Sequence, residues 1–310
     1  MIMYAKFKIA ESCVNQKGFR MRMKETGARI LRMVESDIVC EIKDKDSPFD
    51  SLHRFHNHDG YEIFLFLNGE ASFYTENDMK PLSYGDLSLI PPYSFHHAIV
   101  QSKDLYNRVV VNIRDSYMKK ICTGQTDLSR CFYRMDAQSI NLIQLDRNVV
   151  GQFMEICHKL SHALKNTSYG DDILAETYLK QLLVSINRMA MLQPTPPFKN
   201  AMPDFVRDTF SYIESHLTED IRLADLEREI HHNATYISRS FKKMSGITIQ
   251  QFIIAKRIAL AQELLREGHS PYDVCFLSGF NNYSNFSRTF TKETELSPKQ
   301  YQQKIRRVDS

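Results

Sequence analysis

The sequence predicts a multi-domain protein of mixed class, an N-terminal β-barrel or sandwich with following helices and then an all-α domain, on three observations. Short alternating or apolar runs between Leu52 and Ile113 are separated by Asn68-Gly69, Tyr84-Gly85 and Pro91-Pro92, the pattern of a compact β-barrel or sandwich. The run from Gln193 to Pro203 carries Pro194, Pro196, Pro197 and Pro203, which interrupt any helix and favour an extended connector. Beyond it, Ile237-Ser238-Arg239-Ser240-Phe241-Lys242-Lys243 returns as Phe286-Ser287-Arg288-Thr289-Phe290-Thr291-Lys292, so one helical unit is built twice.

Length and composition set the bounds. The 310 residues allow two domains, and 43% hydrophobic with 25% charged content is ordinary for a soluble globular chain. No apolar run approaches the roughly twenty residues that cross a bilayer, and no signal-peptide core is followed by a small-residue cleavage site, so a cytoplasmic protein without membrane contact is expected. Cys13, Cys40, Cys122, Cys131, Cys157 and Cys275 form no CxxC pair, which leaves no basis for a zinc ribbon or thioredoxin site; buried free thiols are expected. No Ser-His-Asp set, phosphate-cradling glycine loop or nucleotide motif is present.

Residues 1–45 form a lead-in. Lys6, Lys8, Lys17, Arg20, Arg22, Lys24, Arg29 and Arg32 face few acids there, which suits an arm over a ligand pocket, a tail on nucleic acid or a solvated surface segment. Residues 46–135 are the barrel, with strands at Ile63 to Leu67, Ser72 to Thr75, Leu87 to Ile90 and Arg108 to Ile113. Within it, His56, His58 and Glu62 are followed by Gly69, Gly85-Asp86, Pro91 and His96. Alternation puts His56 and His58 on one strand face, where Glu62 and His96 can converge, with His97 on the opposite side. Three imidazoles and a carboxylate would suit Zn, Mn, Fe or Ni, which makes His56, His58, Glu62 and His96 the metal candidates; no cofactor is otherwise called for.

The HxHxxxE spacing, the glycine after it and the later histidine resemble a cupin, the small double-sheet barrel. Asp50 stands where the first cupin motif opens on glycine, Tyr93 where the second does, and Val100 at that motif's terminal Asn. As an organic-ligand pocket, the barrel would offer His56, His58, Glu62, Tyr74, Tyr93 and His96 to stack on and hydrogen-bond a ligand.

Residues 136–192 hold two helices, 146–165 with the stripe Val150, Phe153, Cys157, Leu160 and Leu164, and 171–191 with Leu174, Tyr178, Leu182, Ile186 and Met189. The stripes pack on the barrel, on each other or across a dimer. The linker follows at 193–203, and 204–310 is the duplicated domain.

In its first unit Leu223, Leu226 and Ile230 keep helical spacing, His231-His232-Asn233 interrupts, and Tyr236, Ile237, Phe241 and Met244 resume it. In the second, Val274 and Leu277 precede the turn Gly279-Phe280-Asn281-Asn282, then Phe286 and Phe290 supply the apolar face. Asn233 and Asn282 fall where a helix cap is wanted. Each copy therefore reads as a helix-turn-helix whose second helix can enter a DNA major groove. An unbroken helix from Ile249 to Glu267, with Ile254, Ile258, Ala261 and Leu265 on one face, would hold the two readers for major-groove segments about 34 Å apart. Net charge is only +3, but from His231 to Ser310 basic residues outnumber acidic ones by about two to one, whereas Asp204, Asp208, Glu214, Glu219 and Asp220 make the preceding segment acidic.

Residues from about 203 to 308 resemble the DNA-binding domain of the AraC/XylS family of bacterial transcription regulators. The resemblance is carried by Arg257-Ile258-Ala259-Leu260-Ala261-Gln262-Glu263-Leu264-Leu265, by Gly279-Phe280 with Phe286-Ser287-Arg288-Thr289-Phe290, and by Ser297-Pro298-Lys299-Gln300-Tyr301. Glu227 departs from the small Ala usual in the family. The resemblance implies base-facing residues at Thr235, Ser238, Arg239 and Lys242 in the first unit and at Tyr283, Ser284, Ser287 and Arg288 in the second. Arginine can pair bidentately with guanine or contact phosphate.

The resemblance further implies a ligand-responsive regulator, an activator rather than a repressor, with double-stranded DNA, a small-molecule effector such as a sugar, a second copy of the chain and RNA polymerase as partners. Two readings compete with it: a metal-dependent cupin enzyme with an attached DNA-binding domain, and a constitutive dimeric DNA binder whose barrel is only structural.

Overall fold

Strand β4 (Gly60–Gly69) organises the N-terminal half, because residues 60–66 are buried on both faces. The computed structural model describes residues 31–32, 36–43, 55–100, 105–133, 141–192 and 201–308. Before β4 come β1 (Leu31–Arg32), β2 (Ile38–Lys43) and β3 (Asn57–His58); after it come β5 (Ala71–Thr75), β6 (Met79–Pro81), β7 (Asp86–Ile90), β8 (His96–Val100), β9 (Tyr106–Arg114) and β10 (Asn141–Gln144). One sheet runs β10-β7-β4-β9-β2, a second runs β6-β5-β8, and β1 pairs in parallel with β3. Since alternate residues of a strand point to opposite faces, Phe64 and Phe66 meet Phe73, Leu82 and Ile90 between the two sheets, while Tyr61, Ile63 and Leu65 join the core on the other side. That outer core is closed by α1 (Asp115–Ile121), α2 (Arg147–Lys165) and α3 (Asp171–Leu192), through residues such as Met118, Phe153 and Leu179.

Two boundaries differ from the sequence reading. The five-stranded sheet takes in β2, paired with β9 from Ile38↔Ile113 to Lys43↔Arg108, and β10, paired with β7, so the barrel extends on both sides of 46–135. Glu41 and Lys43 break the apolar run of β2 and β10 is only four residues long, which hides both from pattern reading. In α3 the buried stripe is Ala175, Leu179, Leu182, Leu183 and Ile186, whereas Leu174 is exposed. Adjacent leucines at 182 and 183 make this helix apolar on more than one face, so spacing alone does not select the packed one. The α2 stripe of Val150, Phe153, Cys157 and Leu160 is buried as expected. Most of residues 1–45 and 193–200 of the connector lie outside the described residues. Among the described cysteines all are free, and all but Cys122 are buried.

The C-terminal domain comprises α4 (Asp204–Ser215), α5 (Leu223–Ile230), α6 (Ala234–Ser245), α7 (Ile249–Arg266), α8 (Pro271–Leu277), α9 (Tyr283–Thr294) and α10 (Pro298–Val308). Its helix starts are written in the sequence. Asn233 Oδ1 accepts from Thr235 N at 3.0 Å and Asn282 Oδ1 from Asn285 N at 2.9 Å. Thr248 and Gln251 form a capping box for α7, and Ser297 Oγ accepts from Gln300 N with Pro298 at the first helical position. Gly279, at φ +84°, turns the chain between α8 and α9; a Cβ there would meet Thr218 Cα at 2.8 Å and Leu217 O at 2.9 Å, so the position admits no side chain. Glu227 points to solvent and accepts from Asn233 Nδ2 at 3.4 Å, while Leu226 and Ile237 pack fully behind it. The first unit is closed without the small residue.

The two halves share a core. Phe55, Tyr74 and Phe95 from the barrel join Phe210, Phe241 and Phe252 in one apolar cluster. Backbone bonds cross as well, from Phe55 N to Ser245 O at 2.9 Å and from Ala201 N to Met79 O at 3.0 Å. Lys256 on α7 reaches Glu76 of the barrel at 3.0 Å and Glu214 of α4 at 2.6 Å.

Candidate nucleic-acid interface and effector site

Helices α6 and α9 bury one face and leave the other in solvent. Ile237 and Phe241 are buried in α6, Phe286 and Phe290 in α9. The i, i+4 spacing of those anchors leaves Thr235, Arg239 and Lys242 exposed, with Ser238 half-buried, and leaves Tyr283, Ser284 and Arg288 exposed, with Ser287 half-buried. On α9, Tyr283, Ser284, Ser287, Arg288, Thr291 and Lys292 line a shallow concave surface. Thr291 and Lys292 extend the set read from sequence; their i+4 relation to Ser287 and Arg288 is the signal that marks them. The intervening α7 is about 27 Å long at 1.5 Å per residue, a spacer between two helix faces of like chemistry. Helices α6 and α9 also present their capped N-termini, a favourable place for a phosphate.

In the barrel, the structure brings His58, Glu62 and His96 together: one ligand atom from each lies within 4.8 Å of the others, and all three are buried. Glu62 points between the sheets from the same face of β4 as Phe64. Its Oε2 lies 3.0 Å from His58 Nε2 and its Oε1 3.6 Å from His96 Nε2, just past hydrogen-bond length. His58 Nδ1 lies 2.7 Å from Gly60 O and His96 Nδ1 2.9 Å from Ser94 O, so each Nδ1–H donates to a carbonyl and both Nε2 atoms face the carboxylate. Burial works to raise the Glu62 pKa, but the hydrogen bond from His58 and the nearby charge of His58 and His96 outweigh it and hold this carboxyl well below its ordinary range. His56 stands beside the group rather than in it, its ring 4.5 Å from that of His96 and 6.2 Å from that of His58. Among the described residues, these three clustered side chains are the ones placed to hold a metal.

Tyr74 and Tyr93 lie elsewhere. Tyr74 is the cross-strand partner of His97, and their rings are 4.9 Å apart on the face turned to the C-terminal domain, opposite His96. Tyr93 adopts φ +65°, the left-handed region that explains why a glycine serves in the cupin motif. Its ring lies 4.4 Å from the Arg266 guanidinium of α7, and burial first, then the neighbouring Tyr301, push its hydroxyl well above the usual pKa. The strain of a non-glycine there is held in place by contact with the C-terminal domain. Asp50 lies outside the described residues.

Sequence reasoning missed other inward groups. Ser88 on β7 and Arg108 and Asn112 on β9 share the inner side with Glu62, and Ser88 Oγ, Arg108 Nη1 and Asn112 Oδ1 are buried without a hydrogen-bond partner. The strand alternation of Arg108, Val110 and Asn112 against Val109, Val111 and Ile113 was the available signal. Buried polar atoms are ordinarily paired, so these three stand out on the inner side of the sheet.

Comparison with known proteins agrees with both halves. A profile described as an AraC-like ligand-binding domain matches residues 47–183, and one described as a helix-turn-helix domain matches residues 226–304. An uncharacterized HTH-type transcriptional regulator of Staphylococcus aureus is 24% identical over 260 residues, covering 81% of this chain and 32% of that protein. The chain thus spans about a third of the length of the curated relatives of that kind. A probable transcriptional regulator of Photobacterium leiognathi, LumQ, is 26% identical over 258 residues, covering 83% of this chain and 95% of that one. Among solved structures, apo ToxT of Vibrio cholerae is 16% identical with a TM-score of 0.38, covering 88% of this chain and 100% of that one. Among the described residues no helix is long and apolar enough to cross a membrane.

Proposed function

We propose that this chain, which belongs to the AraC/XylS family of transcription regulators, reads operator DNA with α6 and α9 and adjusts that reading when a small molecule binds inside its barrel. The observation that carries the proposal is the pair of capped helices presenting the same chemistry, Arg239 and Lys242 on one and Arg288 and Lys292 on the other, at the two ends of a rigid helix. Base-edge contacts from Arg239 and Arg288 would set specificity, and the lysines would add phosphate contacts. The effector reading is supported by the unpaired polar atoms of the barrel interior; a sugar is the class that family resemblance favours. Activation with RNA polymerase as partner, a cytoplasmic location and a homodimer come from the same resemblance.

Arg239→Ala and Arg288→Ala should each weaken selective binding to the protein's own upstream DNA by about 1–3 kcal/mol, roughly fivefold to 150-fold, and relax base preference in one half of the protected site. Lys242→Ala should weaken binding to all sequences alike and reduce the salt slope by about one. Footprinting and titration at several salt concentrations read both effects, and paired half-sites in the footprint report the dimer. Equal binding of all DNA, unchanged by either arginine variant, would remove α6 and α9 as readers.

The cluster of His58, Glu62 and His96 favours one second reading, a metal-dependent enzyme in the barrel. Zinc titration of the full chain tests it: one zinc per chain, lost in His96→Ala with DNA affinity intact, would support it, and no binding would remove it.

A further inference from the structure

Among the described residues, the barrel interior holds a cation that no carboxylate answers. Arg108 sits on the inner side of β9, only 5% exposed, with its guanidinium 4.3 Å from the Tyr106 ring. Its Nη1 is buried without a hydrogen-bond partner, and among the described residues it makes no ion pair. Neither inward carboxylate is a substitute: Asp86, on the same side of β7 as Ser88, is already held by Lys80 at 2.6 Å and by Ser83 N at 2.7 Å. Glu62 is the register partner of Asn112, while Arg108 is the partner of Phe66, so the two lie about 13 Å apart along the strands, and His58 already holds the carboxylate. A buried, unanswered charge is costly in a folded protein, because water is lost and nothing replaces it.

We propose that the effector is an organic carboxylate whose carboxyl group pairs with Arg108 inside the barrel. This rests on the reading of the barrel as the effector site, and it narrows the class from neutral sugars to organic acids. The planar guanidinium fork matches a carboxylate through two parallel N–H···O bonds, a geometry lysine does not reproduce. Next along the same inner side come Phe64, Phe66 and Phe73, which offer an apolar wall to the rest of the molecule. Ser88 Oγ and Asn112 Oδ1, also unpaired, can receive a hydroxyl or N–H farther in. A neutral sugar could accept from the Arg108 N–H groups but would leave the buried charge itself uncompensated.

The test is thermal unfolding of the full chain at fixed ionic strength with acetate or benzoate, against the isosteric neutral amides acetamide and benzamide. The carboxylates should raise the wild-type midpoint by about 2 °C or more at tens of millimolar, and the amides should not. Arg108→Met should melt higher than wild type without any probe, since the unanswered charge is gone, and should lose the carboxylate response. Arg108→Lys, which keeps the charge without the fork, should respond at least about tenfold more weakly. A lower midpoint for Arg108→Met, a retained carboxylate response in that variant, equal action of the amides, or a wild type indifferent to both carboxylates would each overturn the proposal. Operator binding by the same proteins keeps the two readings apart: a wild type that selects its DNA but ignores carboxylates defeats this inference alone, and one that selects no DNA defeats the regulator reading.

Discussion

Replacing Phe252 with alanine should lower the free energy of unfolding by about 3–5 kcal/mol and split one cooperative transition into two. The ring is 1% exposed near the start of α7 and touches four others: Phe95 at 5.2 Å and Phe55 at 6.2 Å from the barrel, Phe210 at 5.1 Å on α4 and Phe241 at 5.6 Å on the reader helix α6. A large cavity at that point removes packing that both halves use at once, and close-packed neighbours recover only part of it. The functional consequence follows from the same contacts. Coupling between two sites needs an element whose arrangement both of them bias. Phe252 stands between Phe95, one residue from His96, and Phe241, two residues from Arg239, so it is one packed route between the barrel and helix α6. Urea unfolding followed separately by β-sheet and helix signals checks the first claim; a single transition at the wild-type midpoint would show that the halves do not lean on this ring.

How far the sequence disclosed this arrangement depends on the range of the interaction. The reader helices were legible because their determinants are local: Asn233 and Asn282 cap helices two or three residues away, Phe241 and Phe290 lie one turn from Ile237 and Phe286, and the duplication exposes both units together. The cluster of His58, Glu62 and His96 was legible in part: the three were read as converging, but alternation grouped His58 with His56, which stands beside the cluster, and His96 comes from β8. The junction was not. Tyr74 and Tyr93 look like pocket aromatics in sequence, yet Tyr74 faces the C-terminal domain and Tyr93 meets Arg266, about 170 positions later. No periodicity in either segment encodes a contact of that separation. Arg108 escaped notice for a related reason: in a strand that reads as alternating, an arginine is taken for the solvent side, and only closure of the second sheet makes that side an interior.

Replacing Lys256 with methionine should cost about 3 kcal/mol, and adding Glu76→Gln to it should recover most of that loss. Lys256 is 13% exposed and Glu76 25%, whereas Glu214 at 59% stays in water whatever its partner does. Burial alone would lower the lysine pKa, but the charges of Glu76 and Glu214 outweigh it and hold the ammonium above its ordinary value. Burial raises the Glu76 pKa, Lys256 opposes this, and Glu214 adds to it, so the carboxyl ends above its usual range. The methionine variant therefore removes the one group that favours the Glu76 anion while leaving that carboxyl enclosed, and the loss measures an orphaned charge rather than the worth of the bridge. By the linkage sign, a folded pKa raised above the unfolded one gives a contribution complete below the unfolded value and lost as pH rises through the folded one. The Lys256→Met protein should thus be nearest to wild type in mild acid, where Glu76 takes up a proton, and farthest from it at neutral pH. Chemical denaturation at two pH values, with the double variant as reference, reads this directly. A deficit independent of pH, or one that Glu76→Gln fails to relieve, would mean that the lysine stem packing on Phe95, its ammonium 5.6 Å from that ring, holds the halves together and the charges do not.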